Sequence, residues 1–406
     1  MDEITSAVRA MYEQFPYPPV ATPQIRVGSD ARQLLSYGKL ARKKGRPLRV
    51  LDAGCGRAAG LLGAAAIQRD VEFVGIDLNR VALEEAEGAA KARGITNVKF
   101  RTVNLMTLEE LDVPDGGFDV IVSSGVLHHL ADPAQGLARL KAALAPHGVI
   151  SLMVYGREGR HALYRTVRAL DLLAPRTLPV EERLKTARQL VKTQAADALF
   201  TGPFADAATV PDAELVDRYL HVHETSYNVP ELYALLADAH MTPLRWNEPE
   251  QWDVSQLLPP ALAERAMELS PCERYALVET LTHRSMLDLV IAHDENGPRP
   301  PPSEAAVEDA TFAVNPDVAF SVETRSLRGE VRPERVVVKR RRQSFPLTSP
   351  SMAAAALILR EQTASFRGGE LAAALKPFGV GRVEARALIL ELLRVDVLYA
   401  PHPADA

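Results

Sequence analysis

The sequence predicts an α/β protein: a Rossmann-like, seven-stranded, mostly parallel sheet with a helical insertion, followed by a small winged-helix-like α+β module. Three observations predict it. Short apolar strands alternate with helices between Leu48 and Val154, which is the pattern of βαβ units. A glycine turn, Gly54-Cys55-Gly56, joins the first strand to the first helix. A proline-rich stretch from Asn296 to Ser303 sets a tail apart from everything before it.

The elements follow in order. Residues 1–46 read as an N-terminal lid segment, in which an opening helix stops at Phe15-Pro16-Tyr17-Pro18-Pro19 and a second, basic helix pattern runs from Asp30 to Lys44. Residues 47–295 read as the main domain. Its strands are Leu48–Asp52, Glu72–Asp77, Val98–Thr102, Phe118–Ser124 and Gly148–Val154, with helices after each of the first two and at Pro133–Leu144. Residues 160–240 are mostly helical, and Leu244–Trp246 and Ser285–Ala292 supply two further strands. Residues 296–302 are the linker. In residues 303–406, strand-like pieces near Val318 and Val336 precede three helix patterns, Pro350–Gln362, Gly369–Leu375 and Val383–Leu393, and an apolar strand-like end at Val395–Tyr399.

Composition bounds the function classes. The 406 residues are 47% hydrophobic and 24% charged, which excludes a disordered chain and a collagen. Two cysteines, Cys55 and Cys272, exclude a disulfide scaffold and a cysteine-rich zinc site, and fit a reducing compartment. No apolar run approaches the ~20 residues of a membrane span, and Met1–Thr5 has no signal-peptide character, so a cytoplasmic location is expected. The net charge of -5 does not favour nucleic acid or an anionic membrane as partner. Residues 303–406 carry 14 basic and 13 acidic side chains, so the run Lys339-Arg340-Arg341-Arg342 reads as a solvated turn or edge strand.

The chemistry concentrates in Val50-Leu51-Asp52-Ala53-Gly54-Cys55-Gly56. Glycines permit a tight turn and a close backbone approach to a ligand, and the helix amides behind them attract polar groups. Asp77 ends the second strand, where a carboxylate accepts from ribose hydroxyls. Asp52, two residues before the glycines, would repel a pyrophosphate but suits an ammonium group. That ranks a nicotinamide dinucleotide below a nucleoside carrying an amino acid.

Val50–Gly56 resembles motif I of class I S-adenosylmethionine (SAM)-dependent methyltransferases. Val74–Asn79 resembles the ribose-binding motif of that family, Asn104-Leu105 its adenine-facing pair, and Phe118–Leu130 the motif at strand four. Leu144-Ala145-Pro146-His147-Gly148 is similar to the entry to strand five, with His147 replacing a glycine; Ala58 likewise stands at the third glycine of motif I. Tyr12, Phe15-Pro16-Tyr17-Pro18, Tyr155-Gly156-Arg157 and Asp217-Arg218-Tyr219-Leu220-His221 are similar to a bacterial group within the family that carries an added C-terminal regulatory-type module.

The resemblance implies SAM as cofactor, held by Tyr12, Asp52, Gly54, Cys55, Gly56, Asp77, Leu78, Asn104, Leu105 and Ser124. Leu78 and Leu105 would sandwich the adenine, with the Asn104 side-chain carbonyl at its edge. His128 is the candidate general base, against the alternative of a helix-start residue or a cofactor contact. Tyr17, His129, Tyr155, Arg157, His221 and Tyr227 are candidate substrate contacts, and Arg160 lies with Tyr155 and Arg157 near the expected substrate mouth; for the two arginines the alternative is a surface ion pair. His221-Val222-His223 alternates like a strand, but no third ligand has convincing spacing, so no metal is expected. The implied activity is methyl transfer to a small-molecule acceptor. The alternatives are a peptide or protein methyltransferase, and a SAM-binding regulator whose C-terminal module contacts DNA or protein. A homodimer stays open.

Overall fold

A computed structural model of the chain describes residues 2–19, 30–43, 45–193, 206–327, 330–340, 343–347, 349–403 and 405. It divides into two compact units: Met1–Arg26 with Pro47–Glu295, and Val27–Arg46 with Asn296–Ala406. Residues 27–46, expected in the lid segment, therefore group with the C-terminal residues. The basic stretch expected as a helix from Asp30 to Lys44 is helical only over Ala31–Leu35. Beyond it, the Lys39 amide donates to the Gly297 carbonyl (3.0 Å) and the Leu40 amide to Asn296 Oδ1 (2.8 Å). Asn296 is fully buried, so the expected linker begins as packed structure.

In the first unit the strands are β1 (Leu48–Ala53), β2 (Val71–Asp77), β3 (Val98–Thr102), β4 (Phe118–Ser124), β5 (Leu144–Tyr155), β6 (Met241–Trp246) and β7 (Met286–His293). They form one sheet in the order β3-β2-β1-β4-β5-β7-β6. The first five are parallel and β7 is antiparallel to both neighbours. β4 is buried along nearly its whole length, as a central strand covered on both faces must be. Strand order reverses beside β1, and in an open α/β sheet the crevice at the strands' carboxyl ends there receives ligand.

The His147 departure has a structural reason. Asp119 in β4 is fully buried, and its carboxylate accepts from the Arg49 amide of β1 (2.8 Å) and lies 2.6 Å from His147 Nε2 of β5. One side chain thus ties three adjacent strands.

The insertion between β5 and β6 holds helices His161–Leu173, Val180–Thr193, Asp212–Tyr219 and Val229–Asp238. The N-terminal helix Glu3–Gln14 is capped by Asp2, whose carboxylate accepts from the Thr5 amide (2.8 Å). Met11 on that helix shares an apolar cluster with Leu163, Leu170, Leu215 and Val216 of the insertion. Sequence-distant segments thus form one layer, with fully buried leucines each contributing about 1.5–3 kcal/mol.

The second unit has a three-stranded antiparallel sheet, β11 (Gln343–Leu347), β10 (Glu330–Arg340) and β9 (Val318–Leu327), in that order. A smaller sheet pairs β8 (Thr311–Val314) with β12 (Phe366–Arg367) and β13 (Leu398–Tyr399). Helices Pro350–Leu359, Gly368–Leu375 and Arg382–Arg394 contribute to the core of this unit. Arg340 does not sit in a solvated turn or edge strand. It lies in the central strand, buried, 3.2 Å from Asp396 and donating to the Val395 carbonyl (2.7 Å). Arg341 and Arg342 lie outside the described residues. No helix among the described residues is long and apolar enough to cross a membrane.

Replacing Asp119 by Ala strands a buried amide of β1 and the partner of His147. The expected loss is about 3 kcal/mol, read as a lower urea midpoint; His147→Ala should cost about 1 kcal/mol.

Candidate functional site

The glycine turn is fastened to the end of β2. The amides of Gly54 and Cys55 both donate to the Ile76 carbonyl (2.8 and 2.9 Å), and the Gly56 amide donates to Asp77 Oδ2 (2.8 Å). Asp77 Oδ1 accepts from the Asn79 amide (2.8 Å). Gly54 has φ +85°, and a Cβ there would lie 2.3 Å from Val126 Cγ2. Only glycine fits, and the turn is a cradle. Ala58 adopts φ 56°, so the residue at the third glycine position is held in the left-handed region.

Two carboxylates face this cradle from neighbouring strand ends. Burial and the charge of Asp77 push Asp52 up to about 7. Burial also raises Asp77, and its amide donors at Asn79, Gly56 and Leu78 hold that rise back. A cationic ligand group would relieve such a pair, so these residues fit the amino-acid end and ribose of SAM. Burial, Asp52 and Asp77 raise the Cys55 thiol well above its usual value, which leaves it unreactive. Leu78 is half-buried beside Asp77, and Ser124 is exposed at the carboxyl end of β4. Asn104 Oδ1 accepts from the Met106 amide (2.9 Å), so one lone pair of the carbonyl expected to face adenine is already used. Leu105, expected to sandwich the adenine with Leu78, is buried and belongs to the main apolar cluster.

The N-terminal segment crosses this end of the sheet. Asn79 Nδ2 donates to the Tyr12 carbonyl (3.1 Å), and the Arg57 guanidinium donates to the Pro18 carbonyl while pairing with Glu85 (2.7 Å). Beyond it lies a cluster of rings, buried at His128, His129 and His221 and half-buried at Tyr12, Tyr17 and Tyr155. The Tyr12 and Tyr17 centroids are 6.5 Å apart, those of His128 and Tyr155 3.9 Å, and those of His129 and His221 3.7 Å. The Arg160 guanidinium lies 3.6 Å over the Tyr155 ring and 3.4 Å from Glu224, which also accepts from the Tyr164 hydroxyl (2.6 Å).

His128 is fully buried and neither ring nitrogen has a hydrogen-bond partner among the described residues. Burial and Arg160 push its pKa well below the usual histidine value, which argues against a general base at neutral pH. His129 Nδ1 lies 3.1 Å from the His223 carbonyl. The His223 amide donates to His221 Nδ1 (3.2 Å), and the backbone bends at Val222 with no strand over residues 221–223.

Two expected contacts lie elsewhere. Arg157 is exposed, paired with Glu231 (2.6 Å) and donating to the Ser226 carbonyl (2.7 Å), which is the surface ion pair. Tyr227 packs into the main core, its amide bonded to the Tyr155 carbonyl (3.0 Å). Asp217 and Glu224 join this cluster without being expected substrate contacts, whereas Arg160, expected near the substrate mouth with Tyr155 and Arg157, does lie in it.

His129, Asp217 and His221 bring ligand-type atoms within 4.8 Å of one another. The two imidazole planes, however, are stacked at 21°. Their in-plane lone pairs run side by side, and metal bonds of about 2 Å cannot converge from both.

Residues 44–189 match a family profile described as a methyltransferase domain. An uncharacterised protein of Synechococcus sp. is 28% identical over 308 residues, covering 72% of this chain and 71% of its own. A ubiquinone biosynthesis O-methyltransferase of Rhizobium etli is 32% identical over 162 residues, covering 39% of this chain and 63% of its own. PKMT2 from Rickettsia typhi, also solved in complex with AdoHcy, shares the fold: TM-score 0.67 at 18% identity, over 93% of this chain and 76% of that one.

Two outcomes are expected of the cradle. SAM affinity should rise from about pH 6 to about pH 7.5 as Asp52 ionises, with proton release seen by calorimetry in buffers of different ionisation enthalpy; Asp52→Asn should remove both effects. Ala58→Gly should relieve the left-handed strain and stabilise the fold by about 1 kcal/mol in thermal unfolding.

Proposed function

We propose that this chain, a class I SAM-dependent methyltransferase by its residues 44–189 and its fold, methylates a small-molecule acceptor held among Tyr12, Tyr17, His128, His129, Tyr155 and His221. The observation that carries the proposal is the enclosure of that cluster. His128, His129, His221 and Asp217 are all buried beside a segment strapped to the cofactor cradle. Bound SAM supplies an electrophilic methyl group on a cationic sulfur, and the chain's task is to orient the acceptor and exclude water.

Asp52 and the Gly54–Gly56 turn hold the amino-acid end, and Asp77 the ribose. His128, neutral and with two unsatisfied nitrogens, orients the acceptor by hydrogen bonding and does not take its proton. Arg160, fixed by Glu224 and Tyr164, lies over the Tyr155 ring and holds it against His128. The ubiquinone biosynthesis O-methyltransferases among the relatives make a hydroxyl acceptor a natural first assay.

A second reading, a peptide or protein methyltransferase, draws on the second unit, whose size and separate core suit a docking module. Incubating the full chain with methyl-labelled SAM and a cell extract, then separating low-mass from macromolecular fractions, distinguishes the two. Label in the low-mass fraction is expected; label confined to macromolecules would overturn the small-molecule reading.

A further inference from the structure

Tyr12 meets two separate parts of the insertion with its hydroxyl. That hydroxyl donates to Asp217 Oδ1 at 2.8 Å and lies 3.3 Å from His221 Nε2. The roles are fixed by a third contact. His221 Nδ1 accepts from the His223 amide, so the proton of this neutral imidazole sits on Nε2 and is donated to the Tyr12 oxygen. The donors therefore run in one direction: His221 Nε2–H to Tyr12 oxygen, Tyr12 O–H to Asp217 carboxylate. Asp217 is 3% exposed. The groups facing it are Tyr12 of the N-terminal helix, Tyr17 beyond that helix, Glu214 of its own helix, Tyr155 at the end of β5, His129 and His221 within 4.8 Å, and Glu224 and Arg160. Glu214 is paired with Arg218 (2.7 Å) and Glu224 with Arg160 (3.4 Å), while Asp217 has no such ion pair among the described residues.

We infer that Tyr12 is a proton relay of the methyl transfer, receiving the acceptor's proton as it passes its own to Asp217, with His221 stabilising the phenolic oxygen between the two transfers. The inference rests on the acceptor site proposed above. The acceptor's lone pair forms the bond to the methyl carbon while the carbon–sulfur pair stays on sulfur. The acceptor's hydrogen moves to the Tyr12 oxygen, the Tyr12 hydrogen moves to Asp217, and Asp217 releases it to solvent once the products leave. Tyr12 is not a standing anion, because burial and the charge of Asp217 keep its hydroxyl well above the usual tyrosine value. Asp217 is suited to the terminal position, since burial lifts it to about 7 despite the Tyr12 hydrogen bond.

The test has two arms. In the first, the full chain with S-adenosylhomocysteine is followed by NMR of aspartate labelled at the side-chain carboxyl carbon, using Asp217→Asn to assign the signal. Asp217 should titrate near neutral pH, and Tyr12→Phe, which removes its donor, should shift that titration upward. Titration in the ordinary carboxylate range, or no response to Tyr12→Phe, overturns the relay.

In the second arm, transfer is measured into the low-mass extract fraction that takes label. Wild-type kcat should rise about tenfold per pH unit below neutrality and then level. Asp217→Asn and Tyr12→Phe should flatten that limb and lower the plateau about 100-fold. An unchanged pH limb in either variant overturns the relay. Absence of label from every low-mass fraction counts against the small-molecule acceptor instead, and the NMR arm then decides the relay by itself.

Discussion

The carboxylate of Asp77 is the joint on which the site depends. One oxygen holds the Gly56 amide and the other the Asn79 amide, so the glycine turn after β1 and the helix start after β2 are fixed to a single side chain. The Ile76 carbonyl, one residue earlier, holds the amides of Gly54 and Cys55. Without these four bonds the turn would have no fixed shape. With them, Gly54 is driven against Val126, and no side chain but hydrogen is tolerated. The cost is a pair of half-buried carboxylates at adjacent strand ends, whose mutual repulsion a cationic ligand group would relieve.

The acceptor side hangs on the same joint. Asn79, whose amide Asp77 fixes, reaches the Tyr12 carbonyl, and Arg57, next to the glycine turn, reaches the Pro18 carbonyl. The N-terminal segment is thereby anchored by its backbone to cofactor-binding loops, while Met11 and the Tyr12 hydroxyl engage the insertion. Named hydrogen bonds thus connect the glycine cradle to the proposed acceptor site.

The cradle was legible in the sequence because its chemistry is local. Gly54, Gly56, Asp52 and Asp77 sit at fixed offsets from strand ends, and strand ends are readable from periodicity. The seven-stranded sheet was legible for the same reason, although β5 starts at Leu144 rather than Gly148. The proposed acceptor side was less legible because it is assembled from residues about 200 apart, Tyr12 with Asp217 and His221. Arg157 and Arg160 illustrate the limit. Three residues apart, they differ in that one pairs with Glu231 in water while the other is buried against Tyr155. No spacing rule separates them; the partner supplied by the insertion does. Residues 27–46 were misplaced because a short basic segment carries no mark of which core will take it.

The central claim is that the cradle is built for a nucleoside with a cationic amino-acid end and no pyrophosphate. Titration calorimetry of the full chain with S-adenosylhomocysteine and, separately, NADH tests it most directly. The account predicts saturable binding of S-adenosylhomocysteine and none of NADH. Binding of NADH without binding of S-adenosylhomocysteine would contradict it.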